Sequence, residues 1–131
     1  MNVTPRLLVV DDTVDIRLMI ARYLTHQGYQ TTTAVDGMDA LDQLRQSWPD
    51  LVLLDLSMPR MNGWETLKAI RTLPRGTSLP VIAITAHAMM ADRERALASG
   101  FNGFITKPLA FDILLQMIDT LLLRSRSFPL R

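Results

Sequence analysis

The feature that most constrains the fold is a repeated alternation of short, mostly aliphatic runs with segments of helical spacing. The runs occupy residues 7–10, 30–34, 51–54, 81–84 and 104–106. The first, third and fourth runs contain little polar alternation, which is typical of strands covered on both faces of a parallel sheet. This alternation predicts an α/β sandwich, with a five-stranded parallel sheet and helices on both of its sides.

Each aliphatic run is followed by a helix signal. The first predicted helix has apolar residues at i, i+3, i+4, i+7 and i+8 and ends near Gly28; these residues are Ile16, Met19, Ile20, Tyr23 and Leu24. Asp36 can cap the second helix, whose apolar residues are Met38, Leu41 and Leu44, and Pro49 prevents its extension. Asn62 and Glu65 form a capping-box pattern for the third. The fourth is expected over residues 88–99, and the fifth carries Leu114, Met117, Ile118 and Leu121.

Length and composition indicate one folded domain. The chain has 131 residues, of which 48% are hydrophobic and 21% charged. We expect a single domain over residues 1–131, with a core over about 6–123 and a basic C-terminal tail over 124–131.

Charge and residue types also exclude several classes of function. A net charge of +1 gives no reason to expect nucleic acid or an anionic membrane as a partner. The absence of cysteine excludes disulfides and thiolate metal sites, and two histidines argue against zinc. There is no signal-peptide pattern, and no apolar stretch approaches the ~18 residues of a membrane span. A cytoplasmic protein is therefore expected.

Polar side chains stand where the predicted strands end. Asp11 and Asp12 follow the first strand, Asp55 the third, Thr85 the fourth and Lys107 the fifth. Singly, such residues are more often helix caps or loop residues. Because parallel strands end on the same edge, however, these residues are expected to converge at one edge of the sheet. Clustered carboxylates with a lysine and a hydroxyl suit Mg²⁺ and phosphoryl transfer, with Asp55 as the natural nucleophile.

Four motifs carry a resemblance that covers residues 6–123. They are VVDD at residues 9–12, LLDLSMPRMNGWE around Asp55, ITA at 84–86 and GFITKP at 103–108. Together they resemble the receiver domains of two-component response regulators, of the chemotaxis-regulator kind. The resemblance implies a flavodoxin-like doubly wound fold with strand order 2-1-3-4-5.

The resemblance also implies roles at the phosphorylation site. Asp55 would be the phosphoacceptor and Lys107 the phosphate-binding lysine. Asp12 and Asp55 would bind Mg²⁺ through their carboxylates and Ser57 through its backbone carbonyl, while Asp11 would act mostly through a water. Thr85 would be the switch hydroxyl.

Further roles follow from the resemblance at four positions around the site. Phe104 stands at the place of the switch aromatic, and the bond before Pro108 is expected to be cis. Ser57 and His87 occupy positions that flank the path of the water that hydrolyses the phosphorylated form. They are therefore candidate modulators of phosphate lifetime.

The resemblance further implies partners. The phosphoryl donor would be a sensor histidine kinase or a histidine phosphotransfer protein, and the receiver would be a signalling domain and not an enzyme. Because the sequence ends soon after the fifth helix, we expect either a stand-alone receiver or a fragment of a larger protein. The fifth helix is apolar beyond its core stripe, adding Ile113, Leu115, Leu122 and Leu123. A helix that is apolar over much of its circumference is buried on more than one side. A downstream protein or a second copy is expected on the surface of the fourth helix, fifth strand and fifth helix; a displaced C-terminal tail is the alternative cover for the same surface.

Three other classes of protein fit these residues less well. A phosphatase of the haloacid-dehalogenase type needs a second aspartate two residues after its nucleophile; counted from Asp11, that position holds Thr13. A flavin-binding module needs a phosphate loop rich in Ser, Thr and Gly after the first strand, where this chain has DDTVD. A purely structural interaction domain has no need of the whole polar set at the strand ends.

Overall fold

The computed structural model describes residues 4–86 and 89–126. Within these residues there are five strands, namely β1 (Arg6–Val10), β2 (Gln30–Ala34), β3 (Leu51–Asp55), β4 (Val81–Thr85) and β5 (Gly103–Thr106). They form one parallel sheet in the order β2-β1-β3-β4-β5. The helices are α1 (Val14–His26), α2 (Gly37–Gln46), α3 (Gly63–Thr72), α4 (Met90–Ala98) and α5 (Phe111–Arg126). The predicted doubly wound fold and strand order are confirmed.

The sheet is buried on both faces because successive strand residues point to opposite sides. Leu7 and Val9 pack in a cluster with buried residues of α1 and α5, whereas Leu8 and Val10 pack in a second cluster with α2, α3 and α4. All four residues that precede Asp55 in β3 have no exposed surface. Each fully buried leucine stabilises the fold by about 1.5–3 kcal/mol, so these positions tolerate no polar alternation.

Two predicted helix starts are present with their capping hydrogen bonds. The Asp36 side chain accepts a 2.8 Å hydrogen bond from the Asp39 N–H at the start of α2. At the start of α3, Asn62 and Glu65 each accept from the other's backbone N–H, at 2.9 and 3.0 Å. These bonds satisfy donors that a helix N-terminus otherwise leaves unpaired.

Two methionines expected on core stripes are exposed instead. Met19 in α1 is 52% exposed and Met38 in α2 is 57% exposed. The buried residues of α1 are Ile20, Ala21 and Leu24, which lie on the side of the helix that meets the sheet. Residues beside this buried face fit the same helical periodicity, but they lie outside the contact between the helix and the sheet.

Two helix boundaries also differ from expectation. The fourth helix begins at Met90, whereas it was expected to start at Ala88, which lies outside the described residues. The fifth helix continues to Arg126, three residues into the segment predicted as a tail. That segment has no helix-breaking residue before Pro129, so the helix can continue.

Within the described residues, no helix is both long and apolar enough to cross a membrane.

Candidate functional site

The C-terminal ends of four strands bring the predicted polar residues to one edge of the sheet. Asp11 directly follows β1, Asp55 is the last residue of β3, and Thr85 is the last residue of β4. Lys107 directly follows β5, and its backbone N–H donates to the Thr85 carbonyl at 2.7 Å. The order of strands reverses at β1 and β3, and in open parallel sheets ligands bind at this point.

Lys107 lies between two buried carboxylates. Its Nζ is 3.2 Å from Asp11 Oδ2 and 3.5 Å from Asp55 Oδ2. Asp11 has no exposed surface and Asp55 is 2% exposed. One ammonium cannot neutralise both carboxylates, and the exposed Asp12 adds a third acid beside them. The edge of the sheet therefore carries an excess of negative charge.

Backbone hydrogen bonds hold the other oxygen of each buried carboxylate. Asp11 Oδ1 accepts from the Thr13 N–H at 2.8 Å, and Asp55 Oδ1 accepts from the Ser57 N–H at 3.2 Å. The Arg17 guanidinium donates to the Asp11 carbonyl at 2.9 Å. Bonds from an aspartate to the backbone two residues later are typical of tight turns, and here they orient both Oδ2 atoms toward Lys107.

The electrostatics of Asp55 reflect this crowding. The pKa of the Asp55 carboxyl is raised from its ordinary value of 3.8 to about 6, mainly by burial and in addition by the charge of Asp11. Lys107 and the Ser57 N–H act in the opposite direction but offset only part of the effect. A charged Asp55 is therefore disfavoured until another cation approaches.

The acidic group has the donor set of a site for a hard divalent cation. One oxygen from each of Asp11, Asp12 and Asp55 lies within 4.8 Å of the others. Asp11 Oδ2 is buried without a hydrogen bond from any described residue, although it forms an ion pair with Lys107. An all-oxygen set of three carboxylates, one of whose buried oxygens accepts no hydrogen bond from a described residue, suits Mg²⁺ better than a softer metal.

The remaining predicted residues fall in different environments. Ser57 is exposed, two residues beyond the end of β3, whereas Thr85 and Phe104 are buried, at 2% and 7% exposure. The Lys107–Pro108 peptide bond is cis, as the resemblance implied. His87 lies outside the described residues.

A close backbone contact that sequence reasoning did not interpret also positions Asp55. A Cβ on Gly63 would lie 2.4 Å from the Asp55 carbonyl oxygen and 2.7 Å from the Leu56 Cα. The Gly63 N–H donates to the Leu56 carbonyl at 3.1 Å. Only glycine permits α3 to start so close to the end of β3. In the sequence, the Asn62–Gly63 pair at the predicted helix start was the pattern that could have indicated this close contact.

Comparisons with known proteins agree with this geometry. An uncharacterized 14.6 kDa protein of Leptolyngbya boryana is 43% identical over 103 residues, which are 79% of each chain. The sensor histidine kinase RcsC of Escherichia coli (strain K12) is 41% identical over 112 residues, 86% of this chain but 12% of the kinase. The receiver domain of the Francisella response regulator 1452 superposes with a TM-score of 0.87 at 30% identity, covering 94% of this chain and 100% of that one.

The family model described as the response regulator receiver domain matches residues 7–119. Because that match spans most of the chain, the protein belongs to the response regulator receiver domains of two-component signalling.

Proposed function

We propose that this protein accepts a phosphoryl group on Asp55 with the help of Mg²⁺ and signals through phosphorylation-dependent binding. The observation that carries the proposal is the position of Asp55. It is a buried carboxylate at the end of β3, 3.5 Å from the Lys107 ammonium and within the three-carboxylate group. The phosphoryl donor would be the phosphohistidine of a sensor histidine kinase or of a histidine phosphotransfer protein, and the reaction would take place in the cytoplasm.

The chemistry is nucleophilic displacement at phosphorus. An oxygen of Asp55 forms a bond to phosphorus, the bond from phosphorus to the donor histidine nitrogen breaks, and that nitrogen keeps the electron pair. Lys107 neutralises one phosphoryl oxygen, and the Thr85 hydroxyl donates a hydrogen bond to another. Asp12, Asp55 and the Ser57 carbonyl would hold Mg²⁺, with Asp11 acting through a water, and the ion would offset the negative charge of the two reacting groups.

The output would be a shift between two arrangements of Thr85, Phe104 and the adjoining surface. That surface presents apolar side chains on α4 and α5, with Leu97 47% and Ile113 52% exposed. Apolar side chains without cover favour a protein partner or a second copy of the chain. Ser57, exposed beside Asp55, is proposed to affect how long the phosphoryl group persists, and His87 is proposed for the same role from its sequence position alone.

The test is phosphorylation with acetyl phosphate and Mg²⁺. The wild-type protein should gain one phosphoryl group that is labile in alkali, as acyl phosphates are, and Asp55→Asn should gain none. Asp42→Asn is the matched control, because Asp42 is an exposed carboxylate whose side chain is 64% accessible. Equal labelling of Asp55→Asn and the wild type would refute the assignment.

A further inference from the structure

We propose that Arg60 is a positioning residue for the metal site, because its ion pair with Asp36 holds the loop that presents the Ser57 carbonyl. This loop, residues 56–62, connects β3 to α3. The inference rests on the proposed function, in which that carbonyl is a ligand of Mg²⁺.

Arg60 reaches from the loop to the start of a different helix. Its Nη2 lies 2.5 Å from Asp36 Oδ2, a contact between residues 24 positions apart in the chain. Arg60 has φ of 64°, a left-handed conformation that side-chain-bearing residues rarely adopt. Such a conformation persists when surrounding contacts hold it, and the bond to Asp36 is a contact of that kind.

Asp36 is a fixed anchor. Its side chain is 12% exposed, and its other oxygen already caps α2 by accepting from the Asp39 N–H at 2.8 Å. Most exposed ion pairs contribute little, because both side chains must be ordered. Here Asp36 is buried and already held by the helix cap, so only the Arg60 side chain loses conformational freedom when the ion pair forms.

The loop is also packed between two glycines at helix starts. A Cβ on Gly37 would lie 2.2 Å from Thr66 Oγ1 and 3.0 Å from Met61 Cγ, so α2 begins directly against the end of the loop. Gly63 closes the loop on its other side, against the end of β3. The Arg60–Asp36 ion pair spans the exposed part between these two contacts. Breaking it should leave the ends of the loop in place while residues 57–60 gain freedom.

Two physical effects of removing Arg60 have opposite signs, which makes the inference testable. If Arg60 acted only through its charge, its removal would take a cation away from an acidic site and strengthen Mg²⁺ binding. If Arg60 positions the loop, its removal should weaken Mg²⁺ binding, because the Ser57 carbonyl is then less often in place.

The experiment measures Mg²⁺ affinity by NMR titration of the wild type, Arg60→Gln, Arg60→Lys, Asp36→Asn and the double variant Arg60→Gln/Asp36→Asn. Asn caps helices as well as Asp does, so Asp36→Asn removes the ion pair and keeps the cap. We expect Arg60→Gln and Asp36→Asn each to weaken Mg²⁺ binding about tenfold. This is the low end of the loss of metal affinity that follows when a residue supporting a metal ligand is replaced. The double variant should be no weaker than either single variant, because both remove the same interaction. Arg60→Lys should recover part of the affinity.

Urea unfolding of each variant in EDTA provides the control, because a merely structural ion pair would change the unfolding midpoint without changing Mg²⁺ affinity. Mg²⁺ affinity of Arg60→Gln equal to or above that of the wild type would overturn the inference, as would additive effects in the double variant. Wild-type protein that binds Mg²⁺ no better than Asp12→Ala would overturn the proposed metal site itself. A wild type that binds normally, with unaffected Arg60 variants, would refute only the role of Arg60.

Discussion

Replacing Asp55 by asparagine should stabilise the metal-free protein above pH 6, although it removes the proposed phosphoacceptor. Burial and the Asp11 charge raise the pKa of Asp55 from 3.8 to about 6. At about 1.4 kcal/mol per pKa unit, this difference corresponds to a free-energy cost on the order of 3 kcal/mol for carrying the charged carboxylate in the folded state. The asparagine side chain has a similar shape and carries no charge, so the variant avoids this cost.

The pH range of the effect follows from linkage. The folded-state pKa is above the unfolded one, so the folded protein binds the Asp55 proton more tightly. The stability associated with that proton is fully present below about pH 4 and is lost as the pH rises through about 6. The advantage of Asp55→Asn should therefore be small near pH 4, grow between pH 4 and 6, and remain constant above that range.

Urea unfolding in EDTA between pH 4 and 8 measures this difference. Asp42→Asn is the control, because it removes a carboxylate that is 64% exposed and whose pair with Arg45 is a surface contact. It should change the free energy of unfolding by no more than about 0.5 kcal/mol at any pH. An Asp55→Asn variant that is no more stable than the wild type at pH 7.5, or whose advantage is the same at pH 4 and pH 7.5, would contradict this expectation.

Three further results are expected. Mg²⁺ should raise the melting temperature of the wild type by an amount that follows ligand linkage and should not raise that of Asp12→Ala; equal increases in a thermal melt would contradict the metal site. Gly63→Ala should lower the free energy of unfolding by about 2–3 kcal/mol because its Cβ would lie 2.4 Å from a backbone oxygen, whereas Gly28→Ala, which meets no atom within 4 Å but has φ of 100°, should cost about 1 kcal/mol. Urea unfolding of the two alanine variants checks this order, which similar losses would refute. Finally, if His87 shields the phosphoryl group when protonated, the wild type should lose phosphate more slowly than His87→Ala at pH 6 and at a similar rate at pH 8; identical time courses at both pH values would leave His87 without that role.

Local patterns sufficed to predict the layers of this fold. The apolar residues 51–54 form a strand buried on both faces, and a parallel sheet with helices on both sides is the arrangement that covers such strands. Parallel topology then places Asp11, Asp55 and Lys107 at one edge, whatever the detailed packing. The helix caps at Asp36 and Asn62 could also be predicted from the sequence, because a cap depends on residues only three positions apart.

Other features depend on contacts between residues far apart in the chain. Met38 fits the helical period of α2 yet is exposed, because burial depends on which side of the helix meets the sheet. The raised pKa of Asp55 depends on how deeply its side chain is buried and on its distances to Asp11 and Lys107. The sequence motif around Asp55 shows neither the burial nor the distances. The Arg60–Asp36 ion pair joins residues 24 positions apart through a turn with positive φ. Local periodicity carries no information about such distances, since they arise only when helices and loops pack against the completed sheet.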